Sequence, residues 1–150
     1  MNRHDLQNKL GNATEKKVAK ELRSLGFWNH ILMKRPEGQP CDVVGGKGNE
    51  NGTITMCLID AKHVENKVSF SFDRIEPNQI SSLGYARNFA KIQGKNAFVG
   101  FAIFFDRDKQ LRWLSFDKYE ELAKAGAKSV NMADLALLKE VFQNDEDNNQ

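Results

Sequence analysis

Apolar and polar positions follow helical spacing in some stretches, strict alternation in others, and one run is almost wholly apolar. Between Asn12 and Leu25, Val18, Leu22 and Leu25 recur at steps of three and four, which predicts a helix stopped by Gly26. Counting back from Val18 places Glu15 on the same inward stripe, near the predicted helix start. Phe27 to Arg35 reads as a strand, and Pro36-Glu37-Gly38-Gln39-Pro40 as a turn. The apolar runs flanking the turn-rich segment from Gly45 to Gly52 read as the arms of a hairpin, with Asp42 across from the Asp60 end. In the second arm Ile54, Met56, Leu58, Asp60 and Lys62 share one face; Thr55, Cys57, Ile59 and Ala61 share the other. An apolar face that ends in an acid and then a lysine must satisfy those charges with a partner, a metal or water.

The remaining elements follow the same rules. Val68 to Phe72 reads as extended. Pro77 suits the first position of a helix running to about Gln93, stopped by Gly94, with Leu83, Ala86 and Ala90 as its stripe. Four residues before Leu83, Gln79 falls on that stripe near the helix start; a satisfied buried amide accounts for it as readily as a site residue does. Ala97 to Phe105 suits a strand covered on both faces. Leu111 to Phe116 suits a strand nearer the edge, with Trp113 in the core rather than as a stacking platform. Asp117 can cap a short helix through about Ala125, and a last helix spans about Met132 to Phe142. The order α-β-β-β-α-β-β-α-α predicts an α/β fold, a mixed sheet with helices packed on it.

Composition narrows the class. The 150 residues fit one domain, read as 11–143, preceded by a polar, flexible segment 1–10 and followed by an acidic, disordered tail 144–150. The net charge is +2; without the tail's three acids, 22 bases against 17 acids leave +5, a surplus that permits a nucleic-acid partner. No apolar run is long enough to cross a bilayer, and the start of the chain has no secretory h-region. Cys41 and Cys57 are expected inside strands as buried thiols, with Cys41 on the same face as Val43; a cytoplasmic setting follows. Two cysteines and three scattered histidines make no zinc site.

Four elements thus direct polar groups to one place: Glu15, Asp42, Asp60 with Lys62, and Gln79. Carboxylates without cysteine or histidine suit a hard divalent ion, Mg²⁺ or Mn²⁺. A lysine beside such an ion can position the attacking water or stabilise charge on a phosphorane, and a carboxamide can orient either. The chemistry described is phosphodiester hydrolysis.

Glu15, Pro40-x-Asp42 and Asp60-x-Lys62 resemble the signature of the PD-(D/E)xK nuclease superfamily, and the αβββαβ order resembles its restriction-endonuclease-like core. A closer likeness, over about residues 11–116, is to RecU-type Holliday junction resolvases. It rests on Gly11-Asn12-Ala13-Thr14-Glu15, Asp60-Ala61-Lys62, Ser69-Phe70-Ser71-Phe72 and Asn78-Gln79-Ile80. The resemblance implies that Asp42 and Asp60 bind metal, Glu15 assists, Lys62 acts on the water and Gln79 supports the site. It also implies a homodimer that nicks opposed strands of a four-way junction. Two departures stand out: that family has Glu rather than Asp before Ala-Lys, and the segment where it builds a stalk is here only Pro36 to Pro40. The leading expectation is a Mg²⁺-dependent endonuclease on branched DNA. The alternatives are a restriction-like or repair nuclease on other DNA, or a non-catalytic module that binds DNA or protein.

Lys34 and Arg35 precede the turn leading to Asp42, where they suit a phosphate backbone or a solvated strand end equally. Lys16 and Lys20, with Lys17 and Arg23, form the outer face of the first helix, again suited to DNA or to solvent. His63 is expected on the face opposite Lys62 as a surface or structural residue. A chain of this size would suit a phage or mobile element.

Overall fold

The structure, a computed structural model, describes residues 2–92 and 96–143. Helix α1 (Arg3–Ser24) is capped by Asn2, whose side chain accepts the Asp5 amide. It therefore begins well before Asn12: Asn2 offers an earlier cap than the apolar stripe revealed. Gly26 ends the turn after it at φ +88°, a conformation glycine adopts without steric cost. Strand β1 (Trp28–Ile31) is shorter than expected, although the Leu32 amide still reaches the Asp42 carbonyl. Strands β2 (Val43–Gly48) and β3 (Ile54–Val64) form the expected hairpin.

Strand β4 (Ser69–Ser71) is the extended segment predicted, and α2 (Pro77–Ile92) starts at its proline. The stop assigned to Gly94 lies outside the described residues, as do Gln93 and the acidic tail 144–150. Strands β5 (Ala97–Phe105) and β6 (Gln110–Ser115) then complete the main sheet. Helix α3 (Phe116–Lys124) is capped by Ser115, not Asp117: the Ser115 hydroxyl accepts the Lys118 amide, and Asp117 sits inside the first turn. The predicted last helix is divided. Strand β7 (Ser129–Asn131) pairs with β4, a 3-10 turn follows at Met132–Asp134, and only α4 (Leu138–Gln143) is α-helical. Asn131 accepts the Ala133 amide and starts the tighter turn instead.

The five-stranded sheet has the order β1-β2-β3-β5-β6, antiparallel except for the parallel pair β3–β5. Each face is buried. Val99, Phe101, Ile103 and Phe105 pack with Leu83 of α2 and Phe116 and Tyr119 of α3. Cys57, Ile59 and Ala61 pack on the other face with Val18 and Leu22 of α1 and Leu138 and Phe142 of α4. Trp113 is buried there, edge-on to Phe98 and Phe142. Cys41 differs from expectation: it lies outside β2 and packs in the first cluster while Val43 packs in the second, because regular pairing stops before Asp42. Both thiols are buried, which raises their pKa to about 12.

Gly100 shows how tightly β5 fits between its neighbours. A Cβ there would lie 2.4 Å from the Leu114 carbonyl oxygen and 2.9 Å from Ser115 Cα, both backbone atoms. Gly100→Ala should cost about 3 kcal/mol, the upper range of overpacking. Urea unfolding measures this, and an unchanged midpoint would mean that β6 can move aside freely.

Candidate functional site

The regular ladder between β2 and β3 ends at the Val43–Ile59 pair. One residue earlier, the Asp42 amide bonds the Ile59 carbonyl at 3.0 Å, and Asp42 Oδ2 accepts the Ala61 amide at 2.8 Å. A side chain thus closes the strand end, and it fixes Asp42 beside Asp60. Both are almost fully buried (6% and 1% exposed). Asp60 lies on the Leu58–Lys62 face, the face the alternation assigned to it.

Around this pair the chain supplies two brackets. On one side the Lys34 ammonium donates to Glu15 Oε1 and, at 2.9 Å, to Asp42 Oδ1; Gln39 Nε2 donates to the same Asp42 oxygen at 3.2 Å. On the other side Gln79 Nε2 donates to Asp60 Oδ1 at 3.1 Å, and Lys62 Nζ donates to Gln79 Oε1 at 3.0 Å. Gln79 Oε1 also accepts the Glu76 amide at 3.0 Å. This is the reach-back half of a capping box, with Gln79 third in a helix begun by Pro77. One glutamine therefore starts α2 and holds both Asp60 and Lys62, so the buried-amide and site readings describe the same contacts.

The electrostatics follow from burial. Asp60 is pushed well above the ordinary aspartate range, first by burial and then by its hydrogen bond with Asp42, against the pull of Lys62. Asp42 is held below it: burial raises it, but hydrogen bonds from Asp60, Lys34 and the Ala61 amide outweigh that. Two like carboxyls this close cannot both ionise at low cost, so the charge is favoured on Asp42 and disfavoured on Asp60. Glu15 is raised, chiefly by burial. Asp60 Oδ2 is buried and accepts no hydrogen bond, with Lys62 Nζ 3.2 Å away as an ion pair. An orphaned oxygen beside a second carboxylate fits a hard divalent cation; the neighbouring Cys41 directs its thiol to the Val43 carbonyl and, with its pKa pushed up to about 12, offers no thiolate. Asp42 and Asp60 would hold it, with Glu15 behind Asp42.

All five residues expected at the site fall in this one network, Glu15 through Lys34. Two differences matter. Glu15 lies in the middle of α1 rather than near its start, so the macrodipole does not explain it. Lys34 turns inward to the carboxylates, while Arg35 is exposed and only loosely paired with Glu37 at 3.9 Å. Lys16 and Lys20 lie exposed on α1. Sequence reasoning missed Gln39, three residues before Asp42, and the bridging position of Lys34; a lysine next to the loop that delivers a buried acid was the available signal. Lys34→Met should leave Glu15 and Asp42 as uncompensated buried neighbours. The loss should be about 1–2 kcal/mol at pH 7, below that of a fully buried pair because the Lys34 side chain is 54% exposed. Chemical denaturation at pH 7 measures it.

A second group of potential ligands, His63, Glu65 and Asp106, has its ligand atoms within 4.8 Å of one another. It includes none of the five residues. His63 points away from Lys62, stacks on Phe104, and its Nε2 lies 2.8 Å from Asp106 Oδ1.

No family model matches the chain, and no curated protein does. Among solved structures it is similar to Hjc of Archaeoglobus fulgidus, a Holliday junction resolvase from an archaeal hyperthermophile. The TM-score is 0.54 at 21% identity, over 88% of this chain and 94% of that one. The likeness extends to nearly all of that chain and defines the architecture: a restriction-endonuclease-like α/β fold, a mixed sheet flanked by helices. Among the described residues no helix is long and apolar enough to cross a membrane.

Proposed function

We propose that the chain is a divalent-metal-dependent DNA endonuclease that nicks branched DNA, a Holliday junction resolvase working as a homodimer. The observation carrying this reading is the buried Asp42–Asp60 pair, with one orphaned oxygen and Lys62 fixed beside it, on a fold similar to that of a resolvase. A bound Mg²⁺ or Mn²⁺ supplies Lewis acidity toward a phosphate oxygen. The rest falls to the chain's own side chains. Gln79 fixes the Lys62 ammonium at the carboxylate pair, where it can donate to a water or to the negative charge that builds on phosphorus. Lys34 bridges Glu15 and Asp42 and offsets one of their charges, which holds the buried acids together and lessens their repulsion of a phosphodiester. Asp42, anchored by the Ala61 amide, stays ionised as the fixed ligand.

A second reading, a restriction-like or repair nuclease on other DNA, is favoured by the short segment Pro36 to Pro40, which offers little to enter a junction. A labelled four-way junction, a linear duplex and a single strand should be offered to wild type and Asp42→Asn, with Mg²⁺ and with Mn²⁺. Paired nicks in the junction alone, absent in the variant, are expected. Cleavage of linear duplex at equal rate would favour the second reading. No cleavage of any substrate would leave a non-catalytic module.

A further inference from the structure

Two sets of lysines in this molecule contrast. Those on α2 and α3 are matched: Lys91 with Asp117, Lys118 with Glu121, Lys124 with Glu120. Those where α1 meets the β5–β6 turn are not. There a cleft of about 300 Å³ is lined by Lys17, Lys20, Glu21, Phe104, Lys109 and Gln110, among others. Lys17 Nζ lies 4.7 Å above the Phe104 ring, and that ring is stacked on His63 from the neighbouring strand. Neither Lys20 nor Lys109 has an ion-pair partner among the described residues. Lys109 holds φ +55°, a left-handed position where glycine or asparagine would be easier. Glu21 is the one acid in the described lining; its Oε2 is buried without a hydrogen-bond partner, and the Lys139 charge also acts on it.

We propose that this cleft is a docking surface for the phosphate backbone of DNA flanking the cleaved bond. The proposal rests on the nuclease reading above and adds where the flanking strand runs. Three ammonium groups face one carboxylate, Glu21, around this concavity, and two of them, Lys20 and Lys109, have no ion-pair partner among the described residues, so the cleft carries a positive surplus that attracts an anion. A polyanion suits them better than a compact one, because two of the three line one side of a helix. Lys17 and Lys20 follow Glu15 by two and five residues, about 200° and 140° around the helix, so they lie across α1 from it. A strand leaving the carboxylate cluster crosses the exposed outer face of α1, where Lys16 and Lys20 stand, to reach the cleft: about 10–12 Å, or about three to four nucleotides at about 3.4 Å each. The described lining is dominated by lysines and holds no arginine, with Gln110 its one carboxamide, so the contact is chiefly to phosphate and depends little on sequence.

The test is equilibrium binding of a fluorescent duplex to the full chain, with Ca²⁺ in place of Mg²⁺, across about 50–200 mM salt, the range over which phosphate binding weakens strongly. Wild type is compared with K17Q/K20Q/K109Q and with K91Q/K118Q/K124Q, which removes as much charge from the matched population. For the cleft variant the slope of log K against log salt should become shallower by up to about 2.7, about 0.9 for each phosphate no longer neutralised. The second variant should keep the wild-type slope. Single K20Q and K109Q variants, each shallower by about 0.9, carry the same test if the triple variant folds poorly. Equal slopes for both triple variants would overturn the cleft while leaving the nuclease reading intact. A wild type without salt-sensitive affinity would overturn both.

Discussion

Asp60→Asn is expected to lose at least about 10²-fold in Mg²⁺-dependent DNA cleavage, the upper range for even an outer partner of a metal site. Its stability without metal should stay within about 1 kcal/mol of wild type or exceed it. The two halves belong together. In the folded protein Asp60 is a buried acid whose charge is disfavoured by burial and by Asp42. Asparagine has the same shape without the charge. Its oxygen can still accept Gln79 Nε2, as Asp60 Oδ1 does at 3.1 Å, and its amide can donate to Asp42. What it cannot supply is a second carboxylate oxygen at the Oδ2 position, which accepts no hydrogen bond and becomes anionic once Asp60 ionises. Cleavage kinetics alongside thermal unfolding separate the outcomes. Wild-type activity in the variant would remove Asp60 from the chemistry. A collapse in stability would make the residue structural, its charge needed to hold Lys62 and Gln79 together.

Much of this site was legible from period-two alternation alone. A strand that buries Leu58 must put Asp60 on the same face and His63 on the other, and the pairing of β3 with β5 sets Asp60 beside Phe101 and His63 beside Phe104. The proline at the start of α2 located Gln79 equally well. What escaped depended on contacts between segments far apart in sequence. β7 is three residues long and is a strand because β4 offers it a partner. Cys41 changes face because the Asp42 side chain replaces a ladder bond, which alternation cannot foresee. Lys34 looked like a solvated strand end because its partners lie nineteen residues before and eight after it in the chain. The start of α1 was misplaced for a local reason: a polar first turn carries no apolar stripe, and only the Asn2 cap marks it.

The opposed shifts of Asp60 and Asp42 make a second large effect predictable, the linkage of metal binding to pH. Asp60 has a raised pKa, so it contributes stability that is present below the ordinary aspartate value and lost as pH rises through its folded pKa. Asp42 has a lowered pKa, so its contribution is present above the ordinary value and lost as pH falls through its folded pKa. For the pair, metal-free stability is therefore highest near the ordinary aspartate value and falls on the alkaline side, by up to about 1.4 kcal/mol per pH unit until Asp60 has ionised. Glu15, also raised, adds to the same slope. A divalent ion takes the place of the proton, so its affinity should rise about tenfold per pH unit over that window and level off above it. Thermal unfolding with and without Mg²⁺ should converge at low pH and diverge as pH rises, and Asp60→Asn should abolish the divergence. Titration calorimetry in two buffers of different ionisation enthalpy should count close to one proton released per ion below the Asp60 pKa. Ion binding that releases no proton would place the metal away from this carboxylate pair, and the three-residue group of His63, Glu65 and Asp106 would be the next place to look.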